Sequence, residues 1–412
     1  MPVKSNIQAS ARLLSLLLCI GLSACGPAGP SAAALQSPSA IPPTSTVETP
    51  TPAPSPTATT LPTATSLPTA TPIAGLPALN DGALKSQIDR VAAGFLGAGK
   101  SSGLGVAVVV RDPATGQLRA MILNYGTSAK DQAADITADT VYEIGSITKV
   151  FTGILLAEAV TAGQVQLDDP VQKYMPTGMH APTYRDQQIT LANLATHRSS
   201  LPRDAATDSL PDLYAWLNGY QLAHAPGSQY VYSNLGYSLL GDILARLAGL
   251  DFGTLELQSV SQPLCLVDTR EALTPDETER LAQGHGYDGS TANYFPDSGA
   301  MGGAGYLRST LSDMTRFLAV NMQPDSTPLA AAIRLAQTSQ SEGRNPGTGA
   351  GLGWDIQHPG RPDEIISKGG ATSGFSSYIA LKADGSSGFV LLSNGQYVES
   401  LVSTMLNLLR DK

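Results

Sequence analysis

The chain has 412 residues, 42% of them hydrophobic and 14% charged, with a formal net charge of −9. An acidic balance without any Lys/Arg run excludes nucleic-acid binding as the main task. The length suits one large domain or two interleaved lobes behind a leader. The histidines, His180, His197, His224, His285 and His358, show no metal-ligand spacing, so neither metal nor cofactor is expected.

Lys4 and Arg12 precede an apolar run from Leu13 to Leu22, too short to span a bilayer comfortably and typical of an export signal. The run ends at Leu22-Ser23-Ala24-Cys25, which resembles the lipobox of bacterial lipoproteins. That resemblance implies removal of residues 1–24 and diacylation of the Cys25 thiol, leaving an extracytoplasmic chain anchored to a membrane. Ordinary secretion with Cys25 incidental is the alternative. Without Lys4 and Arg12 the charge becomes −11.

Residues 25–77 are dominated by Pro, Thr, Ala and Ser, with Glu48 the only charge. Such a segment buries too little apolar surface to offset ordering, and it reads as a disordered tether reaching on the order of 40 Å. Cys19 falls in the signal and Cys25 would carry lipid, so Cys265 is left without a disulfide partner and reads as a buried apolar filler.

The globular domain is expected over residues 78–412. A helix over Leu84–Leu96 precedes two strands, Leu104–Arg111 and Gln117–Tyr125, joined through Asp112-Pro113-Ala114-Thr115-Gly116. From Ser146 to about Leu335 the pattern is mostly helical. The helix opened by Ser146 is apolar almost all round, as a buried central helix should be, and Gly163 would close it. Strand signals return at Glu364–Lys368, Phe375–Lys382 and Gly388–Leu392, and an amphipathic helix follows from about Val398 to Arg410. This order predicts an α+β fold: one antiparallel sheet built from both chain ends, flanked by helices, with an all-helical lobe inserted.

Three short motifs carry chemistry. In Ser146-Ile147-Thr148-Lys149, helical spacing brings the Lys149 amine to the Ser146 hydroxyl, and a desolvated lysine can take a serine's proton. A chain of this composition yields on the order of one such tetrapeptide by accident. Tyr232-Ser233-Asn234 is the only Tyr-x-Asn present. A tyrosine near two ammonium groups can relay a proton, although a tyrosine beside a loop is more often a packing residue. Lys368-Gly369-Gly370 ends a strand, where the lysine supplies charge and the glycines admit a substrate backbone. A plain β-turn is the competing reading.

Taken in order, the three motifs resemble the class C β-lactamase and DD-peptidase family. So do the stretches Ile189–Pro202, Gly302–Thr310 and Gly351-Leu352-Gly353-Trp354. The resemblance implies Ser146 as acylated nucleophile, Lys149 as its base, Tyr232 as proton shuttle and Lys368 as the third-motif cation. It implies Asn234 as a ligand of the substrate amide and Gly369, Gly370 and Ala371 as substrate-binding. The main-chain N–H groups of Ser146 and Ala371 would form the oxyanion hole. Asp168, His197 and Trp354 are left as structural.

One departure stands out: Gly369 occupies the place of a hydroxyl residue that helps hold a lactam's carboxylate. No arginine lies between Lys368 and Arg410 to line the last helix. The expected activity is therefore hydrolysis of a small-molecule or peptide acyl substrate, with esters and D-amino-acid peptides ranked above β-lactams. A penicillin-binding or cell-wall sensor that acylates without turnover is the alternative, since deacylation rate is not written in these motifs.

Overall fold

The computed structural model describes residues 75–412, apart from 100, 131–133, 205–206, 297–298, 396 and 411. The expected signal, Cys25 and the tether as far as residue 74 lie outside the described residues.

Helix α1 spans Gly82–Gly97 and is N-capped by Asp81, whose carboxylate accepts from the Leu84 N–H. Its buried residues, Leu84, Ile88, Ala92 and Phe95, recur at helical spacing and so form one stripe. Strands β1 (Gly103–Arg111) and β2 (Leu118–Gly126) form a hairpin. The Asp112 side chain accepts from the N–H groups of Ala114 and Thr115, and Gly116 at φ +72° completes the turn.

Helix α2 (Thr148–Thr161) runs through the interior, with eleven of its fourteen residues buried. Phe151 stacks on Phe317 at a centroid separation of 4.3 Å. The Gly163 N–H donates to the Val160 carbonyl and its φ of +71° turns the chain away, as expected. The inserted segment also contains α3 (Asn234–Ala248), α4 (Leu311–Met322) and α5 (Ala330–Gln337).

The sheet is completed by β3 (Ser341–Glu342), β4 (Thr348–Ala350), β5 (Asp355–Gln357), β6 (Ile365–Ala371), β7 (Ser376–Lys382) and β8 (Ser387–Ser393), and α6 (Glu399–Leu408) follows. The order is β2-β1-β8-β7-β6-β5-β4-β3, antiparallel throughout. Strand β1 pairs with β8 from Leu104↔Ser393 to Val110↔Ser387, so strands from the two ends of the domain are joined inside the sheet, at its second and third places.

Helices cover both faces. Val106, Val108 and Val110 pack with residues of α1 and α6, while Ala107 and Val109 join the core containing α2 and α4. Period-2 alternation sends successive residues of β1 to opposite faces, each roofed by helices. Burying one such side chain contributes roughly 1.5–3 kcal/mol.

The α+β expectation is borne out. Three differences matter. The sheet has three further short strands, β3 to β5, between residue 341 and residue 357. The Ser146 turn is a 3₁₀ segment, Gly145–Ile147, leading into α2, so the α-helix itself opens at Thr148. Cys265 is only half-buried, with φ +57°, so it does not fill the core as the sequence suggested.

Candidate active site

The site is built where the N-terminal end of α2 meets β6, and two glycines set the distance. A Cβ on Gly370 would lie 2.1 Å from the Ile144 carbonyl oxygen and 3.0 Å from the Ser146 nitrogen. A Cβ on Gly145, whose φ is +51°, would lie 2.7 Å from the Ala371 nitrogen. No other residue allows strand and turn to approach so closely. The Ser377 hydroxyl fastens the contact by donating to the Ile144 carbonyl at 2.8 Å. The Lys-Gly-Gly segment is strand rather than turn: Lys368, Gly369, Gly370 and Ala371 pair with Ile379, Tyr378, Ser377 and Ser376.

A second close approach seats Lys149. Gly353, at φ +85°, would place a Cβ 2.3 Å from the Lys149 carbonyl oxygen, and a Cβ on Gly153 would meet the Leu352 carbonyl at 2.0 Å. The Gly351–Trp354 loop therefore lies directly against the first turns of α2.

Lys149 is fully buried, and its ammonium has three acceptors: Ser146 Oγ at 3.1 Å, Asn234 Oδ1 at 2.8 Å and the Ala304 carbonyl at 2.6 Å. Burial lowers its pKa; the Tyr232 oxygen opposes that shift, and Lys368 and Arg203 add to it.

Tyr232 OH lies 2.6 Å from Ser146 Oγ. Burial alone would raise its pKa, but the Lys149 and Lys368 ammonium groups and the Ser146 hydrogen bond outweigh that and bring the phenol down to about 8. Lys368 Nζ lies 5.5 Å from the Tyr232 ring centroid and 3.2 Å from Asp355 Oδ2. Burial opposes the Lys368 charge, yet Asp355 and the oxygens of Tyr232 and Tyr230 hold its pKa above the usual lysine range. The result is a serine hydroxyl in contact with a lysine and a tyrosine, each with a lowered pKa. Such a group can give up its proton at neutral pH.

Asn234 opens α3, which Ser233 caps by accepting from the Gly236 N–H at 2.8 Å. The Asn234 oxygen accepts from Lys149, while its nitrogen donates to Asp204 Oδ1 at 2.7 Å. A substrate carbonyl approaching this amide thus competes with a carboxylate.

Ser146 stands between two cavities. One of about 740 Å³ is bounded by Tyr232, Lys368, Gly369, Arg344, Asp355 and Glu399, among others. The other, of about 320 Å³, includes Asn234, Asp204, Asp208, Phe295 and Tyr306.

The structure thus brings together Ser146, Lys149, Tyr232, Asn234, Lys368, Gly369, Gly370 and Ala371, all eight globular-domain residues singled out from sequence. Cys25 lies outside the described residues. Sequence reasoning passed over Asp204, Arg344, Asp355 and Glu399. Only Asp355 had a signal, since it directly follows Gly351-Leu352-Gly353-Trp354. Among the described residues no cluster of His, Cys, Asp and Glu has metal-binding geometry.

The family model Beta-lactamase matches residues 88–410. The D-alanyl-D-alanine-carboxypeptidase/endopeptidase AmpH of Escherichia coli K12 is 33% identical over 310 residues, covering 70% of this chain and 77% of the relative. A beta-lactamase of the same strain is 31% identical, covering 72% of this chain and 85% of the relative. Among solved structures, a class C beta-lactamase superposes with TM-score 0.72 at 23% identity, covering 81% of this chain and 97% of its own. A beta-lactamase/D-alanine carboxypeptidase from Pseudomonas syringae gives 0.71 at 23% identity, covering 80% of this chain and 99% of its own, and both superpositions speak to the fold. On the family match and the two relatives, the chain belongs to the beta-lactamase family and is a serine hydrolase.

Proposed function

We propose that this protein hydrolyses a small ester or a peptide through a Ser146 acyl-enzyme, outside the cytoplasm and tethered to a membrane by Cys25. The observation that carries the chemistry is the position of Ser146 Oγ, 3.1 Å from Lys149 Nζ and 2.6 Å from Tyr232 OH at the junction of two cavities. In this reading Ser146 Oγ attacks the acyl carbon while its proton passes to the Lys149–Tyr232 pair. The carbonyl electrons move to oxygen, which receives hydrogen bonds from the Ser146 and Ala371 N–H groups. Collapse breaks the bond to the leaving oxygen or nitrogen, which takes a proton from Tyr232. Water then repeats the sequence on the acyl-enzyme and frees Ser146.

Substrate choice follows from the larger cavity. Gly369 offers no hydroxyl, and Glu399 stands beside it, an arrangement that opposes a carboxylate on the leaving side. Small esters, and peptides cut at an internal bond, therefore rank above β-lactams. The name of the Escherichia coli carboxypeptidase/endopeptidase makes D-alanyl-D-alanine peptides the first peptides to try, and a terminal cut that releases D-alanine meets the same opposition to a leaving-side carboxylate as a lactam does.

Parallel assays with p-nitrophenyl acetate, nitrocefin and a D-alanyl-D-alanine peptide test the reading. Ser146→Ala should abolish turnover of each while far-UV circular dichroism stays unchanged; retained ester turnover would remove Ser146 as nucleophile. A stoichiometric burst without turnover would identify an acylating sensor instead. The tether rests on the Leu22-Ser23-Ala24-Cys25 motif. Cys25→Ser should move the mature protein from the membrane to the soluble fraction, and membrane retention would sink that part.

A further inference from the structure

His197 lies directly behind Tyr232 and holds the main chain on both sides of it. The His197 carbonyl accepts from the Val231 N–H at 2.7 Å, and His197 Nδ1 accepts from the Ser233 N–H at 3.1 Å. Between these bonds the imidazole packs on the Tyr232 ring, 4.3 Å between centroids at 32°. Tyr237 and Tyr230 close in on the imidazole at 5.1 and 5.5 Å. Residues 230–233 belong to no helix or strand, so regular hydrogen bonding does not fix Tyr232. The two bonds to His197 supply that fixation on both sides of Tyr232, and on the C-terminal side the Ser233 hydroxyl on the Pro202 carbonyl at 2.6 Å and the Asn234 N–H on the Arg203 carbonyl at 2.7 Å add to it.

The clamp requires a particular imidazole and a particular backbone. Nδ1 accepts only while it carries no proton, so the ring is neutral with its proton on Nε2. His197 is 3% exposed; burial first, then the charges of Lys368, Lys149 and Arg203, hold its pKa well below the ordinary value. Protonation would strand the Ser233 N–H and place another cation among those three. The backbone at His197 has φ +59°, a left-handed conformation uncommon outside glycine that persists only where surrounding contacts over-determine it.

We propose that His197 is a positioning residue for the Ser146 reaction, its Nδ1 and its carbonyl clamping the main chain on either side of Tyr232 so that the phenol stays on Ser146. The proposal rests on the reading of Ser146 as nucleophile. It revises the sequence-based view of His197 as merely structural.

Three variants and one cycle test it on ester hydrolysis. His197→Phe keeps an aromatic ring against Tyr232 but cannot accept from Ser233, and kcat should fall about 10- to 100-fold, with KM within about threefold. His197→Asn retains an acceptor and should recover much of that loss. In a Tyr232→Phe background the phenol is already gone, so adding either His197 substitution should change kcat by less than about threefold. Equal losses in both backgrounds, or an Asn variant no better than Phe, would overturn the proposal. Circular dichroism and thermal melts check folding, and if the Phe variant does not fold, His197→Leu, which also lacks an acceptor, takes its place in the cycle. Wild-type turnover that survives Ser146→Ala marks failure of the nucleophile reading, a result separate from any outcome of the cycle.

Discussion

Gly369→Thr is the substitution that asks most directly which acyl substrates the cleft accepts. The Cβ it adds would meet Tyr378 Cδ2 at 3.3 Å and Cε2 at 3.4 Å, with Glu399 Oε1 at 3.9 Å. The Tyr378 ring must give by a few tenths of an ångström, which costs little at the edge of a cleft, while a β-branched residue replaces glycine within a strand. The change in stability should stay within about 1 kcal/mol. The new hydroxyl stands next to Lys368 and can bond a carboxylate on the leaving side. A hydrogen bond to a charged group contributes about 1.5–3 kcal/mol, or roughly ten- to a hundredfold in kcat/KM. Glu399 competes for the same hydroxyl and repels the same carboxylate, so Gly369→Thr/Glu399→Gln should gain more than the single variant. The wild type should hydrolyse p-nitrophenyl acetate at least about tenfold more efficiently than nitrocefin, and the variants should narrow that gap. Efficient nitrocefin hydrolysis by the wild type, unaltered by either substitution, would refute the reasoning. Arg344, on the wall of the same cavity, would then be the residue to examine for carboxylate binding.

Tyr232→Phe should lower kcat/KM for the ester by about 10²–10⁴, the usual contribution of a positioned proton-transfer group, with KM little changed. The sign of its effect on the pH profile follows from Lys149, whose pKa the Tyr232 oxygen props up against burial. Without that oxygen the Lys149 pKa falls further, so the acid limb of the residual kcat/KM should move to lower pH; an unmoved limb would uncouple the two groups. Gly370→Ala should be far more damaging than Gly369→Thr, because its Cβ lands 2.1 Å from the Ile144 carbonyl oxygen and pushes β6 off the Ser146 turn. A turnover loss of about 10²-fold or more is expected, with a destabilisation of about 1–3 kcal/mol in urea melts; near-normal kinetics would mean that strand and turn need not touch.

What could be seen in the sequence was whatever local periodicity or residue type fixes alone. The alternating valines of Val106–Val110 and the all-round apolar α2 announce a strand and a helix buried by their neighbours. The short strands β3 to β5 escaped because two or three residues at a sheet edge contain no full period, and Gly343 and Gly347 around them suggest loop. The Gly369–Gly370 pair misled in the opposite sense. Glycines usually punctuate a strand, yet here they continue it, because a side chain at Gly370 would collide with the Ser146 turn. That collision involves a segment more than two hundred residues earlier in the chain, and no local pattern contains it.

The site divides along the same line. Ser146 and Lys149 are neighbours through one helical turn, so their contact follows from spacing. Tyr232, Asn234 and Lys368 reach them only through the fold, and resemblance to a family stood in for that missing geometry. Resemblance conveys the common machinery and is silent on what surrounds it in a given chain. The carboxylate of Asp204 on the Asn234 amide, that of Asp355 on Lys368, and Glu399 beside Gly369 are each single polar residues in loops or at element ends. Only Asp355 has a marked neighbourhood, the Gly351–Trp354 stretch that it follows. These three carboxylates nevertheless set the electrostatic environment that an incoming substrate meets on either side of Ser146. The machinery was therefore legible before the selectivity, because attack on an acyl carbon depends on a few groups in mutual contact, whereas discrimination depends on side chains that only the folded cleft brings alongside them.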